Sequence, residues 1–500
     1  LLLASVAASD LFTTSIFFMK FYISLIFSAL LFSSCSKLLE EKPQSIAAET
    51  FYNTSAEVQA GLNAIYAPIR GGNSMGALYQ TQLEIYTEYM YGRGSHAPLN
   101  TYTGLDNTNI TRVGAIWKDF YQSIRNANIV IQRAPLSTVL SQDDISRFVA
   151  EARFMRGLVY FHLVRNWAGV PLRTDQNIND IDLPRSSEEE VYNFILADLN
   201  DAAANLPETP RLSGAPNKLA AQAVLADVYM NLHDYAKAKD AAAAVINSNK
   251  YSLVSVTVAD DFDNLFGPEV EDSPEEIFYL KFARTPSGQG FSYPIYAHYP
   301  NSGYYPPGGY YTFYSDSVEN KFMSQWDRND LRYRFNWYSQ TFGLTKTTIL
   351  NKKFSDKTTT TGAGNDYPMY RYADILLFYA ECAARVNNGP NADALEKLNI
   401  VHRRAYGKPA TVADAAVDFK LSDFASLDAF VDTVVKERAY EDCSEGKHWL
   451  DLKRLGTVKQ VIRDIKGITV ADKHLLWPIP TIEYNYNKAI DPVKDQNPGY

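Results

Sequence analysis

Cysteine, histidine and basic charge are all scarce in this 500-residue chain, and each shortage removes a class of function. Three cysteines, Cys35, Cys382 and Cys443, are too few for the disulfide framework of a small secreted domain. Cys382 lies in an apolar, helix-like run from Ile375 to Ala384, where a free thiol serves as a small buried hydrophobe. Two reduced thiols are therefore expected for Cys382 and Cys443, while nothing in the spacing rules out a bridge. The seven histidines show no H-x-x-x-H spacing and no cysteine stands near one at ligand spacing, so no metal site is expected. No Gly-rich phosphate loop occurs, and no cofactor is expected. The formal net charge of −9 removes nucleic acid as a partner, because neutralising phosphates takes a basic face.

Long apolar runs are missing too. Phe21 to Phe32 is only about a dozen residues, short of the roughly 20 that span a membrane. With Met19-Lys20 ahead of it, this run reads as the core of a signal peptide over residues 19–34. Residues 1–18 are expected to be upstream sequence ahead of a misplaced start. The alternative, one longer apolar segment, is opposed by Asp10 and Lys20. Ser33-Ser34-Cys35 resembles the lipobox of bacterial lipoproteins, in which the cysteine becomes the lipidated first residue; Phe32 departs from that pattern. A diacylated Cys35 would hold the chain at a membrane without a spanning helix. Glu40 to Glu49 is a short polar tether.

Hydrophobic residues make up 46% of the chain, enough for a large core. Helical periodicity dominates the chain beyond the tether. Ala56–Ile69 and Ile116–Arg133 are amphipathic, and Asp143–Trp167 is apolar on more than one face, as a buried helix is. Ser187 and Glu190 stand at capping-box spacing, opening a helix that runs to Leu206 and stops at Pro207. From Asn217 to Asn247, Ala226, Tyr229 and Ala238 have the spacing of a tetratricopeptide hairpin, with Asp234-Tyr235 at its turn. Tyr372–Val386 and Ala392–His402 form a second such pair across Asn387-Asn388-Gly389-Pro390. Asp432–Leu455 adds another helix or two. The expected class is mainly α: tetratricopeptide-like helical hairpins over about 50–250 and 366–460, interrupted by a loop-rich, Tyr-rich insertion over about 251–365. Glu276–Leu280 is a strand-like run within that insertion.

Catalytic signals are weak. Gly72-Asn73-Ser74-Met75-Gly76 matches the G-x-S-x-G elbow, but that motif needs a strand before it, and an amphipathic helix stands there instead. No pair of the 57 acidic residues stands out as a glycosidase couple. The chain is therefore expected to be a binding protein, not an enzyme.

Tyrosine is the residue in excess: 34, against 7 methionines. Its ring packs and its hydroxyl stays wet, so most are expected between helices and some at a binding surface. Two stretches offer aromatic faces with convergent polar groups, the composition of a small-ligand site. One is Glu88–Asn109, with Tyr91, Arg93, Tyr102 and Asn107. The other is the loop that carries Tyr304, Tyr305, Tyr310 and Tyr311. These eight are the candidate ligand-binding residues. Flat rings would stack on the C–H faces of sugars while amides and charges meet the hydroxyls. Trp326 and Trp337 could extend the second stretch, but Trp326-Asp327 leads into Asp330-Leu331-Arg332, which reads as structural.

Five motifs carry a family resemblance. They are Glu151 to Leu172; Pro184-Arg185-Ser186 with Val191-Tyr192; Tyr370 to Leu377; Lys436-Glu437-Arg438 with Glu445 to Arg454; and the closing Trp477-Pro478-Ile479-Pro480 and Gln496-Asn497-Pro498-Gly499-Tyr500. Together, and in this order, they resemble the SusD/RagB family of outer-membrane lipoproteins of Bacteroidetes from Cys35 to Tyr500. The resemblance implies a SusD-like α-α superhelix and a SusC-like TonB-dependent transporter as partner. It implies oligosaccharide ligands delivered to that partner, or peptides in some members. It implies structural roles for Arg153, Arg156 and Arg165, paired with carboxylates. A helical glycoside hydrolase is the reading from another class.

Overall fold

The computed structural model describes residues 51–342 and 347–500. The signal-peptide run, the segment before it and Cys35 lie outside the described residues. The helices of eight residues or more are α1 (Ser55–Arg70), α2 (Leu78–Ile85), α3 (Asn107–Arg133), α4 (Gln142–Trp167), α5 (Glu188–Asn205) and α6 (Lys218–Asn231). They continue with α7 (Tyr235–Asn247), α8 (Tyr372–Val386), α9 (Ala392–Ala405), α10 (Leu427–Glu441), α11 (His448–Leu455) and α12 (Val458–Lys466). The chain is mainly α, in tetratricopeptide-like hairpins.

Local chemistry sets the boundaries. Ser187 and Glu190 close a capping box on α5, Asn217 caps α6 and Asp234 caps α7, each satisfying amide groups that the first turn leaves open. α3 starts earlier than its apolar period, at Asn107, because Asp106 caps it through the Asn109 N–H. Its first turn is polar, so periodicity could not announce it.

Helix follows helix as neighbour from α3 through α9: α3 packs on α4, α4 on α5, α5 on α6, α6 on α7, α7 on α8 and α8 on α9. The array passes straight from α7 to α8 although the insertion separates them in sequence. Gly157 lets α4 and α5 come close, since a Cβ there would sit 3.2 Å from Leu199 Cγ and 3.3 Å from Asp198 Cβ. The arginines of α4 then cross-link the array. Arg153 pairs with Asp201 at 2.6 Å, Arg156 with Asp198 and Asp175 at 2.7 Å each, and Arg165 with Asp227 at 3.2 Å.

The C-terminal motifs close the end of α4. A helix leaves its last carbonyls without partners. Here Lys453 Nζ donates to the Arg165 carbonyl at 2.5 Å and the Trp477 N–H to that of Asn166 at 2.7 Å. Arg185 and Asn497 both donate to the Trp167 carbonyl, at 2.9 and 3.0 Å. Trp167 returns a hydrogen bond to Pro478 and meets Trp477 edge to face, with centroids 4.9 Å apart.

The insertion takes part in two small antiparallel sheets, each completed by a strand from outside it. β2 (Glu276–Leu280) pairs with β6 (Tyr367–Arg371), which runs directly into α8. The other sheet has the order β1-β3-β5-β4, from Tyr91–Gly92, Phe313–Asp316, Thr348–Asn351 and Trp337–Ser339. Buried charges bind β6 and the insertion to the helices. Arg371, fully buried, meets Glu441 at 2.7 Å, Asp442 at 2.9 Å and Glu445 at 2.8 Å. Arg332 pairs with Asp330 at 2.7 Å and Glu437 at 2.8 Å, and Lys353 with Glu445 at 2.5 Å. Trp326 donates to the same Asp330 at 2.9 Å, so this corner is structural. Cys382 and Cys443 are free and buried.

Candidate functional site

The short β1 strand brings the two tyrosine-bearing stretches together. Tyr91 pairs with Tyr314 and Gly92 with Phe313, and the ladder continues as the Arg93 N–H donates to the Thr312 carbonyl at 2.7 Å. The rings of Tyr91 and Tyr314 stack at 5.5 Å. Arg93 reaches on into the insertion, where its Nη1 donates to the Tyr311 carbonyl at 3.1 Å and its guanidinium lies 3.6 Å above the Tyr311 ring.

Residues 310–312 are laid against 295–298. The Tyr310 N–H donates to the Ile295 carbonyl at 2.6 Å, that of Tyr311 to His298 at 3.1 Å and that of Thr312 to Tyr296 at 2.8 Å. Gly309 permits this approach, because a Cβ would fall 2.1 Å from the His298 carbonyl oxygen. The loop is thus an ordered shelf, held by backbone bonds and dense in aromatic rings.

Its rings fall into two layers. Buried beneath are Tyr305, which donates to the Thr361 carbonyl at 3.1 Å, and His298, stacked between Tyr304 and Tyr305 at 5.9 and 6.4 Å. Burial pushes the His298 imidazole down to about 4, so it packs as a neutral ring. Above them Tyr304 meets Tyr338 at 4.5 Å, and Tyr299 meets Tyr311 at 4.7 Å. The Tyr338 hydroxyl accepts the Tyr299 N–H at 3.1 Å. Tyr310 is 70% exposed and touches Tyr296 edge to face at 6.3 Å. Cations line the rim: besides Arg93, Lys352 and Lys357 place Nζ 5.5 and 5.6 Å from the Tyr304 ring centre.

The eight candidates therefore divide. Tyr91, Arg93, Tyr304, Tyr310 and Tyr311 gather on this shelf. Tyr305 is 1% exposed and props it from below. Tyr102 is buried elsewhere, donating to the Tyr86 carbonyl and packing against Trp449, which removes it as a ligand-facing ring. Asn107 opens α3 in an exposed position. Trp337 is buried and does not extend the surface. Tyr296, Tyr338, Lys352 and Lys357 join the shelf with no signal of their own in the sequence. Tyr338 stands on β4 and the two lysines follow β5, so only strand pairing could have placed them there.

Ser74 is fully buried in the turn between α1 and α2, not on a strand-to-helix elbow. Among the described residues, no His, Cys, Asp and Glu side chains gather into a group that could hold a metal ion. None of the described helices is long and apolar enough to cross a membrane.

The architecture defines a tetratricopeptide-like helical scaffold that presents an aromatic shelf. Two profiles of one family match the chain: one described as starch-binding and associating with the outer membrane, over residues 37–230, and the SusD family itself, over residues 298–500. The chain belongs to the SusD/RagB family. SusD-like protein P2 of Formosa agariphila is 26% identical across 96% of this chain and 100% of its own length. A SusD homologue from Bacteroides thetaiotaomicron has the same fold at a TM-score of 0.76 and 21% identity, covering 91% of this chain and 98% of its own. A laminarin-binding SusD-like protein superposes at a TM-score of 0.71 and 22% identity, over 90% of this chain and 100% of its own.

Proposed function

We propose that this protein captures oligosaccharides at the outer cell surface, on the shelf formed by Tyr299, Tyr304, Tyr310 and Tyr311 with Arg93. It hands them to a SusC-like TonB-dependent transporter, and a lipid on Cys35 anchors it to the outer membrane. The observation that carries this reading is the joining of two distant tyrosine-bearing stretches through the Tyr91–Tyr314 pair and the Arg93–Tyr311 stack. Ring faces suit the C–H surfaces of sugars, and the rim cations suit hydroxyl oxygens. The family's starch-binding description and the laminarin-binding neighbour point the same way. Binding here is non-catalytic: the named shelf residues are tyrosines and cations, without the two facing carboxylates that most glycoside hydrolases use.

Calorimetric titration of protein cut after Cys35, against starch and laminarin fragments, other plant and microbial glycans, and peptides, tests the reading. Saturable heat from one glycan class, lost when Tyr304, Tyr310 and Tyr311 are all alanine, is the expected result. Binding of peptides alone would refute the glycan assignment, and turnover of any glycan would refute the non-catalytic one.

A further inference from the structure

A concave site of a different chemistry shares no residue with the tyrosine shelf. It is a cleft of about 460 Å³, within the range of roughly 300–1,000 Å³ that small ligands occupy. One wall is α3, where Lys118, Tyr121, Gln122 and Arg125 line it. Their spacing of three, four and seven residues puts them on one helical face. The ring and the amide thus stand between two cations. Arg173 forms the other wall, 6.0 Å from the Tyr121 ring centre.

These groups differ in how they are committed. Arg173 is fixed, donating to the carbonyls of Asp180 and Ile181 at 3.1 and 3.0 Å and pairing with Glu483 at 3.0 Å. Tyr121 is held by donating to the Pro171 carbonyl at 2.8 Å, and its ring is braced by Trp117 at 4.8 Å. By contrast, Lys118 and Arg125 are exposed and form no ion pair among the described residues. The nearby acids are Asp119, next to Lys118 on the helix, Asp180 on the far wall and Glu483, paired with Arg173. Arg173 is offset by Glu483 and Asp180 also lines the hollow, so Lys118 and Arg125 are the cations there that no ion pair among the described residues neutralises, in a chain of net charge −9. A solvated helix face would carry such charges without a hollow, a braced ring or a fixed guanidinium beside them.

We infer that this cleft binds an acidic saccharide unit, a sugar ring bearing a carboxylate or a sulfate ester. Arg125 and Lys118 hold the anionic group, with the guanidinium suited to two parallel hydrogen bonds to either group. Tyr121 meets the ring face and Gln122 a hydroxyl. The site operates independently of the tyrosine shelf, so a chain could engage both or either.

The test uses the protein cut after Cys35 and three probes: an oligogalacturonate, a sulfated galactan oligosaccharide and a neutral malto-oligosaccharide. Two variants are compared with wild type. Lys118→Ala with Arg125→Ala alters exposed helix positions where alanine is well tolerated. Tyr310→Ala alters the shelf. The expected result is saturable binding of at least one acidic probe, weakened about tenfold or more in the double variant. That binding should persist in Tyr310→Ala and weaken steeply as salt is raised. Preference between the two acidic probes identifies carboxylate or sulfate as the natural group. The inference is overturned if neither acidic probe binds, if the double variant binds them as wild type does, or if Tyr310→Ala alone abolishes their binding.

Discussion

Tyr310 and Tyr305 are five residues apart in one loop, and their fates under mutation should be opposite. Tyr310 is 70% exposed, so its replacement by alanine removes almost no packing and should change stability by less than about 0.5 kcal/mol. A buried tyrosine covers about 150–250 Å², so one ring face laid on a sugar covers roughly half of that. At about 25 cal/mol per Å² this is worth about 2–3 kcal/mol, an upper bound that ordering and desolvation reduce. Affinity should therefore fall about tenfold or more, since 1.4 kcal/mol is a factor of ten. Tyr305 is 1% exposed and its hydroxyl is bonded to Thr361, so Tyr305→Ala should destabilise by about 3–5 kcal/mol. Tyr305→Phe should cost only about 1 kcal/mol and leave binding intact. Titration calorimetry with whichever glycan gives saturable heat, beside urea unfolding of each variant, separates the two effects. If Tyr310→Ala binds that glycan within twofold of wild type, the shelf is not the binding surface.

Three further outcomes concern the core. Arg371→Met leaves Glu441, Asp442 and Glu445 facing one another without their shared partner, and should lower stability by about 3–5 kcal/mol in urea unfolding; a shift under about 1 kcal/mol would show that the charges reorganise freely. The buried His448–Glu88 pair, 2.8 Å apart, sets a pH window. Burial opposes charge on His448, but Glu88 outweighs it and raises the imidazole above its usual 6.5, so this contribution is complete below 6.5 and is lost as pH rises through the raised value. Burial likewise opposes charge on Glu88, but His448 holds it below its usual 4.5, so its contribution is present above 4.5 and lost as pH falls. Thermal melts across pH should show Glu88→Gln flattening both limbs, and an unchanged profile would remove the pair from the account. Finally, burial raises the thiols of Cys382 and Cys443, so neither should react with an aromatic disulfide reagent until urea is added; rapid labelling of the native protein would contradict their burial.

Range along the chain decides which features the sequence reveals and which it conceals. Ser187 with Glu190, and Asp234 at its turn, act within three residues, so caps and hairpins could be read directly. The pairing of the α4 motif arginines with carboxylates was implied by the family resemblance rather than by the residue pattern, and Arg156 meets Asp198 and Asp175 accordingly. The polar first turn of α3 was not legible, since a cap without apolar period looks like loop. Burial of individual tyrosines was out of reach. Tyr102 and Tyr91 stand in one polar stretch with the same side chain, yet one hydroxyl donates to the Tyr86 carbonyl inside, while the other accepts from Asn320 Nδ2 at 3.1 Å beside the strand pair with Tyr314. Only the pairing of β1 with β3 decides between them, and that pairing joins segments far apart in the chain.

The same geometry separates a scaffold held by buried charge from an exposed aromatic surface. The family motifs gather where charge and hydrogen bonds must be satisfied away from water: the carbonyls closing α4, and Arg371 among three acids of α10 and the turn after it. Loss of any one partner there leaves a buried polar group exposed to its full desolvation cost, so these positions tolerate little. The shelf obeys a different rule. Its backbone is tied to 295–298 and to β1, and the insertion is pinned to α10 by Arg332 and Lys353, while rings such as Tyr310 project outward with few obligations. Exchange of an outward ring should therefore leave the frame that positions it intact. Buried charge fixes the frame and exposed rings form its aromatic surface, and the two roles fall on different residues of this chain.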